Sequence, residues 1–152
     1  MRERKWDKIY VLIDVHDVIM KSNYSGASDE IFENCIYPLW VLSNDPRFCL
    51  IMWTCSGEEH IERYRQLFAL KGIHFDYANE NPEVTNTNGY GDYTKKMYAN
   101  VILDDKAGFD HETDWAKIVV WLFLENIIDF HDYFSYLTTF CQNPKVKHAL
   151  EK

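Results

Sequence analysis

A chain of 152 residues, 47% hydrophobic and 26% charged, has the size and composition of one globular domain, able to bury roughly 68–70% of its unfolded surface without disulfide staples. Sixteen Lys and Arg against 24 Asp and Glu leave a net charge of −8, which argues against a nucleic-acid groove, because binding phosphate backbones relies on Lys and Arg. A small phosphorylated substrate held by a metal stays compatible with that charge. The apolar runs are too short to span a membrane. Cys35, Cys49, Cys55 and Cys141 form neither a CxxC pair nor a zinc spacing, so they read as reduced thiols in a cytoplasmic setting.

In chain order, the first element is the run Ile9–Ile13, a buried strand that stops at Asp14. A helix follows, with Ser28 as candidate cap and Ile31, Cys35, Leu39 and Leu42 on one face. Pro38 inside it predicts a kink or break. The run Phe48–Trp53 predicts a second strand stopping at Thr54, and Ser56 to His60 opens a helix carrying Ile61, Tyr64, Leu67, Phe68 and Leu70 that ends at Gly72. A shorter run, Ile73–Tyr77, predicts another strand, and the Asn- and Gly-rich residues 79–93 a long loop near the site. Lys96 falls on a short helix leading into the strand Val101–Leu103, which stops at Asp104 and Asp105. A further helix starts at Thr113 or Asp114 and carries Trp115, Ile118 and Val119. Residues 122–152 form an aromatic-rich tail (Phe123, Phe130, Tyr133, Phe134, Tyr136, Phe140), read as one or two amphipathic helices packed on the sheet, with a partner interface as the alternative. Alternating strands and helices, with apolar runs lacking a period of two, predict a single α/β domain over residues 1–152 built on a mainly parallel sheet.

Three of these strands end in residues that can do chemistry, and in open parallel sheets ligands bind outside the carboxyl ends of strands. Asp14, Asp104 and Asp105 would bring three carboxylates together, which cannot stay ionised in a cleft without a cation. Such hard oxygen donors suit Mg²⁺, which binds through a few carboxylates, waters and substrate phosphate. Thr54 or Ser56 could donate to a phosphoryl oxygen. Lys96, eight residues before Asp104, could offset the carboxylate repulsion and bind phosphate as a point charge, with Lys95 as its competitor.

The segment Val11-Leu12-Ile13-Asp14-Val15-His16-Asp17-Val18-Ile19 resembles the first motif of haloacid-dehalogenase-like (HAD) phosphohydrolases, an apolar strand followed by Asp-x-Asp, a small turn and an apolar pair. Trp53-Thr54 resembles the second motif, Lys96 the third, and Leu103-Asp104-Asp105 the fourth in its double-Asp form. The four occur in family order across residues 9 to 105, about two thirds of the chain. Within the superfamily, the chain is most similar to small bacterial HAD-like proteins, which share a Trp-Thr second motif, a stretch like Tyr77-Ala78-Asn79 and an Asp-Trp pair like Asp114-Trp115. The resemblance implies a three-layer Rossmann-like fold and a phosphoaspartyl mechanism. Asp14 would be the nucleophile, Thr54 and Lys96 would hold phosphoryl oxygens, and Mg²⁺ would sit between Asp14, the backbone carbonyl of His16, Asp104 and Asp105.

The sequence departs from that pattern at one place. The family's second Asp, which protonates the leaving oxygen and later activates water, is His16 here, and Asp17 follows as the turn residue. His16 could serve as the acid/base itself, could slow or disable the enzyme, or could mark a different reaction or a binding role. Cap size is legible as well: Asp14 to Thr54 spans 40 residues and Thr54 to Lys96 spans 42, which the core elements largely consume. The site is therefore expected to lack a lid domain, with the 79–93 loop as the only internal candidate for cover, leaving room for a large substrate or for closure by a neighbouring subunit in a homo-oligomer. His60 and His74 read as non-catalytic, whereas Asp110 and His111 could approach the site and Asp114 caps a helix. The expected activity is Mg²⁺-dependent hydrolysis of a small phosphorylated substrate, and the alternative is an impaired relative that binds a phosphorylated ligand or a protein partner.

Overall fold

The computed structural model describes residues 8–22, 29–84, 93 and 96–151. Four strands, β1 (Ile9–Asp14), β2 (Phe48–Trp53), β3 (Tyr77–Ala78) and β4 (Val101–Leu103), form one sheet in the order β3-β2-β1-β4. Every pairing is parallel, and β1 lies between β2 and β4. The unbroken apolar runs of β1 and β2 follow from cover on both faces of the sheet. Val11, Ile13, Leu50, Met52 and Leu103 point into a core shared with α1 (Glu33–Asn44), α2 (Glu58–Ala69) and α3 (Asp114–Leu124). Tyr10, Leu12, Cys49 and Ile51 point the other way, against Val84, Tyr93, Met97, Tyr98 and Ala99. The protein is a three-layer α/β fold as expected. Its second covering layer, however, is the crossover from β3 to β4 and not a described helix.

That crossover corrects one expectation: Lys96 lies at a bend, and residues 97–99 are irregular. Its polar groups are held by distant residues in place of a helical ladder. Asn100 exchanges two bonds with the Tyr10 backbone, both 2.9 Å, and Asn81 Nδ2 donates to Tyr98 O at 2.9 Å. The Glu83 carboxylate accepts from Lys8 at 2.7 Å and from the hydroxyls of Tyr10 and Tyr77, each at 3.1 Å. Burial, and then the bond to Glu83, push the Tyr10 phenol well above its ordinary range. The run Ile73–Tyr77 also differs from expectation. Ile73 and Phe75 are buried in the helix-side core, and only Tyr77–Ala78 pair, with Ile51 and Met52. Asp76 stops the strand short by exchanging 2.8 and 2.9 Å bonds with the Leu50 backbone.

α1 starts later than its periodicity suggests. Ile31 bridges Met20 instead of opening the helix, and Ser28 lies outside the described residues. Pro38 does not break α1. A proline removes the bond to the carbonyl four residues back, here that of Asn34. The buried Tyr136 hydroxyl donates to that carbonyl at 2.8 Å. Tyr136 belongs to α4 (Phe130–Phe140), which is capped by Asp129 and followed by α5 (Pro144–Leu150), capped by Asn143 with Pro144 at its first turn. The aromatic tail therefore docks by supplying the donor that Pro38 lacks. Among the described residues no helix is long and apolar enough to cross a membrane.

Tyr136→Phe is expected to cost about 1–3 kcal/mol in urea unfolding, the penalty for a carbonyl left without its donor in a buried place. In a Pro38→Ala background the new N–H takes over the Asn34 carbonyl, so the same change should cost measurably less. Equal losses in both backgrounds would show that the bond does not compensate for the proline.

Candidate active site

Parallel strands end at one edge of their sheet, so β1, β2 and β4 deliver Asp14, Thr54 and Asp104-Asp105 to a common cleft. It lies where the chain order reverses, with β2 on one side of β1 and β4 on the other, the usual ligand position in such sheets. One carboxylate oxygen from each of Asp14, Asp104 and Asp105 lies within 4.8 Å of the others. All three residues are partly buried. Asp14 Oδ1 accepts from Val15 N at 2.7 Å. Burial raises the Asp14 pKa above the ordinary carboxylate value, and the neighbouring charges of Asp104 and Asp105 raise it further against the opposing pull of Val15 N–H and His16. Asp104 Oδ1 caps the 3-10 turn Asp105–Ala107 through Lys106 N at 2.8 Å, and Asp105 pairs with the Lys106 ammonium. Three mutually repelling, half-buried carboxylates form a donor set that fits a hard divalent cation such as Mg²⁺.

The turn after β1 is fixed from several sides. Asp17 adopts φ 59°, its N–H bonds Met20 O at 2.7 Å, and Val15 O accepts from Ile19 and Met20 at 3.1 and 2.9 Å. Asp17 Oδ1 accepts from Ser22 N at 3.2 Å. Asp17 thus holds the turn, as the sequence suggests. Fully buried Trp115 pins the far side through Nε1–H to Val18 O at 2.9 Å. His16 stands between these anchors, and among the described residues no hydrogen bond ends on its carbonyl. Its ring meets Tyr64 of α2 edge-on, centroids 5.8 Å apart, with Nε2 3.3 Å from the Tyr64 hydroxyl.

Thr54 is buried and clamped by Asn79, whose Oδ1 accepts from Thr54 N at 2.9 Å while its Nδ2 donates to Thr54 O at 2.8 Å. Asn79 reaches it from φ 56° just beyond β3. The Thr54 hydroxyl donates to Ser56 Oγ at 3.1 Å and accepts from Ser56 N at 3.2 Å, so the two candidate hydroxyls form one unit. Lys96 is exposed and makes no ion pair among the described residues, and Lys95 lies outside them. Asp110 and His111 belong to a different seam. Asp110 accepts from Glu112 N at 2.9 Å. His111 stacks on Phe32 at 3.9 Å, and its carbonyl accepts from Asn34 Nδ2 at 2.6 Å.

The sequence marks Tyr64 only as part of a core-facing helix stripe, and Asn79 as the start of a loop and the end of the Tyr77-Ala78-Asn79 stretch, with a role in chemistry assigned to neither. Their polar ends are what order His16 and Thr54. The available signals were one hydroxyl on an otherwise apolar face and an Asn directly after a strand.

No family model matches the chain, and no curated protein matches it either. Among solved structures it is similar to a conserved protein coded by a locus of Bacteroides thetaiotaomicron, with 18% identity and a TM-score of 0.57, over 82% of this chain and 96% of that one. That likeness shows a shared α/β fold.

Because the folded Asp14 pKa lies above its unfolded value of about 3.9, ionised Asp14 destabilises the metal-free fold. The penalty is complete above the folded pKa, fades as pH falls through it and is gone below the unfolded one. Asp14→Asn should therefore raise the Tm of the metal-free protein at pH 7, by about 2–4 °C if the relief is roughly 1 kcal/mol. The gain should close as pH falls toward about 4. A lower Tm at pH 7 would contradict the repulsive geometry.

Proposed function

We propose that this protein is a Mg²⁺-dependent phosphohydrolase that acts on a small phosphorylated substrate through a phosphoaspartyl intermediate. The observation that carries the reading is the convergence of Asp14, Asp104 and Asp105 within 4.8 Å beside the Thr54–Ser56 hydroxyl pair. The Asp14 carboxylate attacks phosphorus, the ester bond breaks, and the leaving oxygen takes a proton. Water then cleaves the acyl phosphate, releasing phosphate and restoring Asp14. Asp14, Asp104, Asp105 and the His16 carbonyl would hold the cation, which when bound neutralises charge on the phosphoryl group. Thr54 and Ser56 hold phosphoryl oxygens, their backbone set by Asn79, and Lys96 adds a positive charge from the crossover. His16 handles the proton. With Nε2 held by Tyr64, Nδ1 is the nitrogen left to do it.

The His16–Tyr64 contact also favours a second reading, a protein that binds a phosphorylated ligand without turnover, because it occupies the group standing where an acid/base is required. The four cysteines are free thiols, three of them buried, which supports a reducing, cytoplasmic setting. A site without a lid leaves closure to the substrate or to a second subunit.

Asp14→Asn should abolish hydrolysis of phenyl phosphate with Mg²⁺ while the circular dichroism spectrum stays that of the parent. Undiminished turnover would sink the nucleophile assignment. His16→Asp separates the readings of its position. A rise in kcat of up to ~10²–10⁴ marks histidine as a weakening substitution. An unchanged kcat with its optimum moved toward acid marks the imidazole as the acid/base. Absent turnover in both proteins, with inorganic phosphate still bound, supports the binding reading.

A further inference from the structure

The face of β1 and β2 that looks toward the crossover is built of three rungs set by the register Tyr10↔Cys49, Leu12↔Ile51 and Asp14↔Trp53. Side chains two residues apart along a strand share a face. The first two rungs are sealed: all four of their side chains are buried under the crossover. The cover given by the described crossover residues stops there. At the third rung the neighbour of the Asp14 carboxylate is an indole left 40% exposed. Trp53 has no ring partner among the described residues, although aromatic pairs are abundant elsewhere in the protein, from Tyr10–Tyr98 to Tyr136–Phe140. Leaving part of an indole in water forgoes burial free energy that a flat ring laid on it would recover. The other side chains placed at this rim are the carboxylates, the Thr54–Ser56 hydroxyls, the Asn79 amide and the His16 imidazole, so among the described residues Trp53 is the large exposed apolar surface paired with Asp14.

We infer that Trp53 is a stacking subsite for a planar ring in the leaving group, so that the substrates are ring-bearing phosphate monoesters, either aryl phosphates or nucleoside monophosphates. The inference rests on the hydrolase reading for where the phosphoryl group lies, at Asp14. The indole supplies affinity for the part of the substrate that leaves. The exposure of the indole leaves a ring of that size access to it, and the net charge of −8 disfavours a nucleic-acid polymer as the source of the ring.

Steady-state kinetics with Mg²⁺ on the parent protein, Trp53→Phe and Trp53→Ala test this, using phenyl phosphate, adenosine monophosphate, glucose 6-phosphate and glycerol phosphate. Trp53→Ala should lower the kcat/KM ratio of the preferred ring substrate to glycerol phosphate by about 5- to 150-fold, the range for stacking one base on an aromatic side chain. Trp53→Phe should keep most of the ratio. Whichever of phenyl phosphate and adenosine monophosphate shows the larger loss identifies the source of the ring. An unchanged ratio, or glucose 6-phosphate losing as much as the ring substrates, overturns the subsite. The same four compounds are titrated into Asp14→Asn with Mg²⁺ while the Trp53 indole N–H is followed by NMR. Ring-selective, Trp53-dependent binding without turnover in the parent keeps the subsite and removes the hydrolase. Turnover with no dependence on Trp53 does the reverse. Neither binding nor turnover removes both.

Discussion

Parallel strands all finish at the same edge of a sheet, and in this protein that rule turns three separate apolar runs into one cleft. β1 is paired along both edges, with β2 over its whole length and with β4 from Val11 to Ile13. Asp14 is therefore held by its own place in the β2 ladder and by a preceding residue, Ile13, that is paired on both sides. The aspartates after β4 are brought against it because β4 lies beside β1, although 90 residues separate Asp14 from Asp104. The electrostatic cost of that encounter is visible in the raised Asp14 pKa, caused by burial first and by the two neighbouring carboxylates after it. A fold that keeps such a cluster in place spends stability on it, and a bound cation would return that stability.

The side chains around the cleft are held by hydrogen bonds from outside it. Trp115 holds the turn after β1, Asn79 holds the backbone at Thr54, and Tyr64 meets His16. Each partner comes from an element after the residue it holds, so the site is assembled only when α2, β3 and α3 have docked. Pro38 and Tyr136 apply the same logic to the tail. A local defect in α1 is completed by a hydroxyl from α4, 102 residues away, which ties the aromatic tail to the helix layer by a specific bond as well as by ring packing.

The acidic balance of the chain acts at the scale of the whole protein. A net charge of −8 keeps polyanions at a distance, while on the proposed reading a cation held at the carboxylate cluster would provide local attraction for one phosphate. On the proposed reading, the exposed indole beside Asp14 puts selectivity in surface contacts at the strand ends.

The sequence by itself determined the strands that matter, because continuous apolar runs buried on both faces leave a signal that ends sharply at the first polar residue. Ile9–Asp14, Phe48–Trp53 and Val101–Leu103 were legible for that reason, and Asp14, Thr54, Asp104 and Asp105 with them. Asp17 as the turn residue and Gly72 as the stop after α2 were legible because their roles are local; both adopt positive φ. Tertiary structure alone decided the rest. The β3–β4 crossover is irregular at Lys96 because its polar groups are satisfied by Tyr10 and Lys8, far away in the chain, and no local pattern encodes that. α1 runs through Pro38 because Tyr136 arrives to complete it. Trp53 reads as one more apolar residue of β2, and only the fold leaves it exposed at the strand end beside Asp14, past the two rungs that the described covering residues bury.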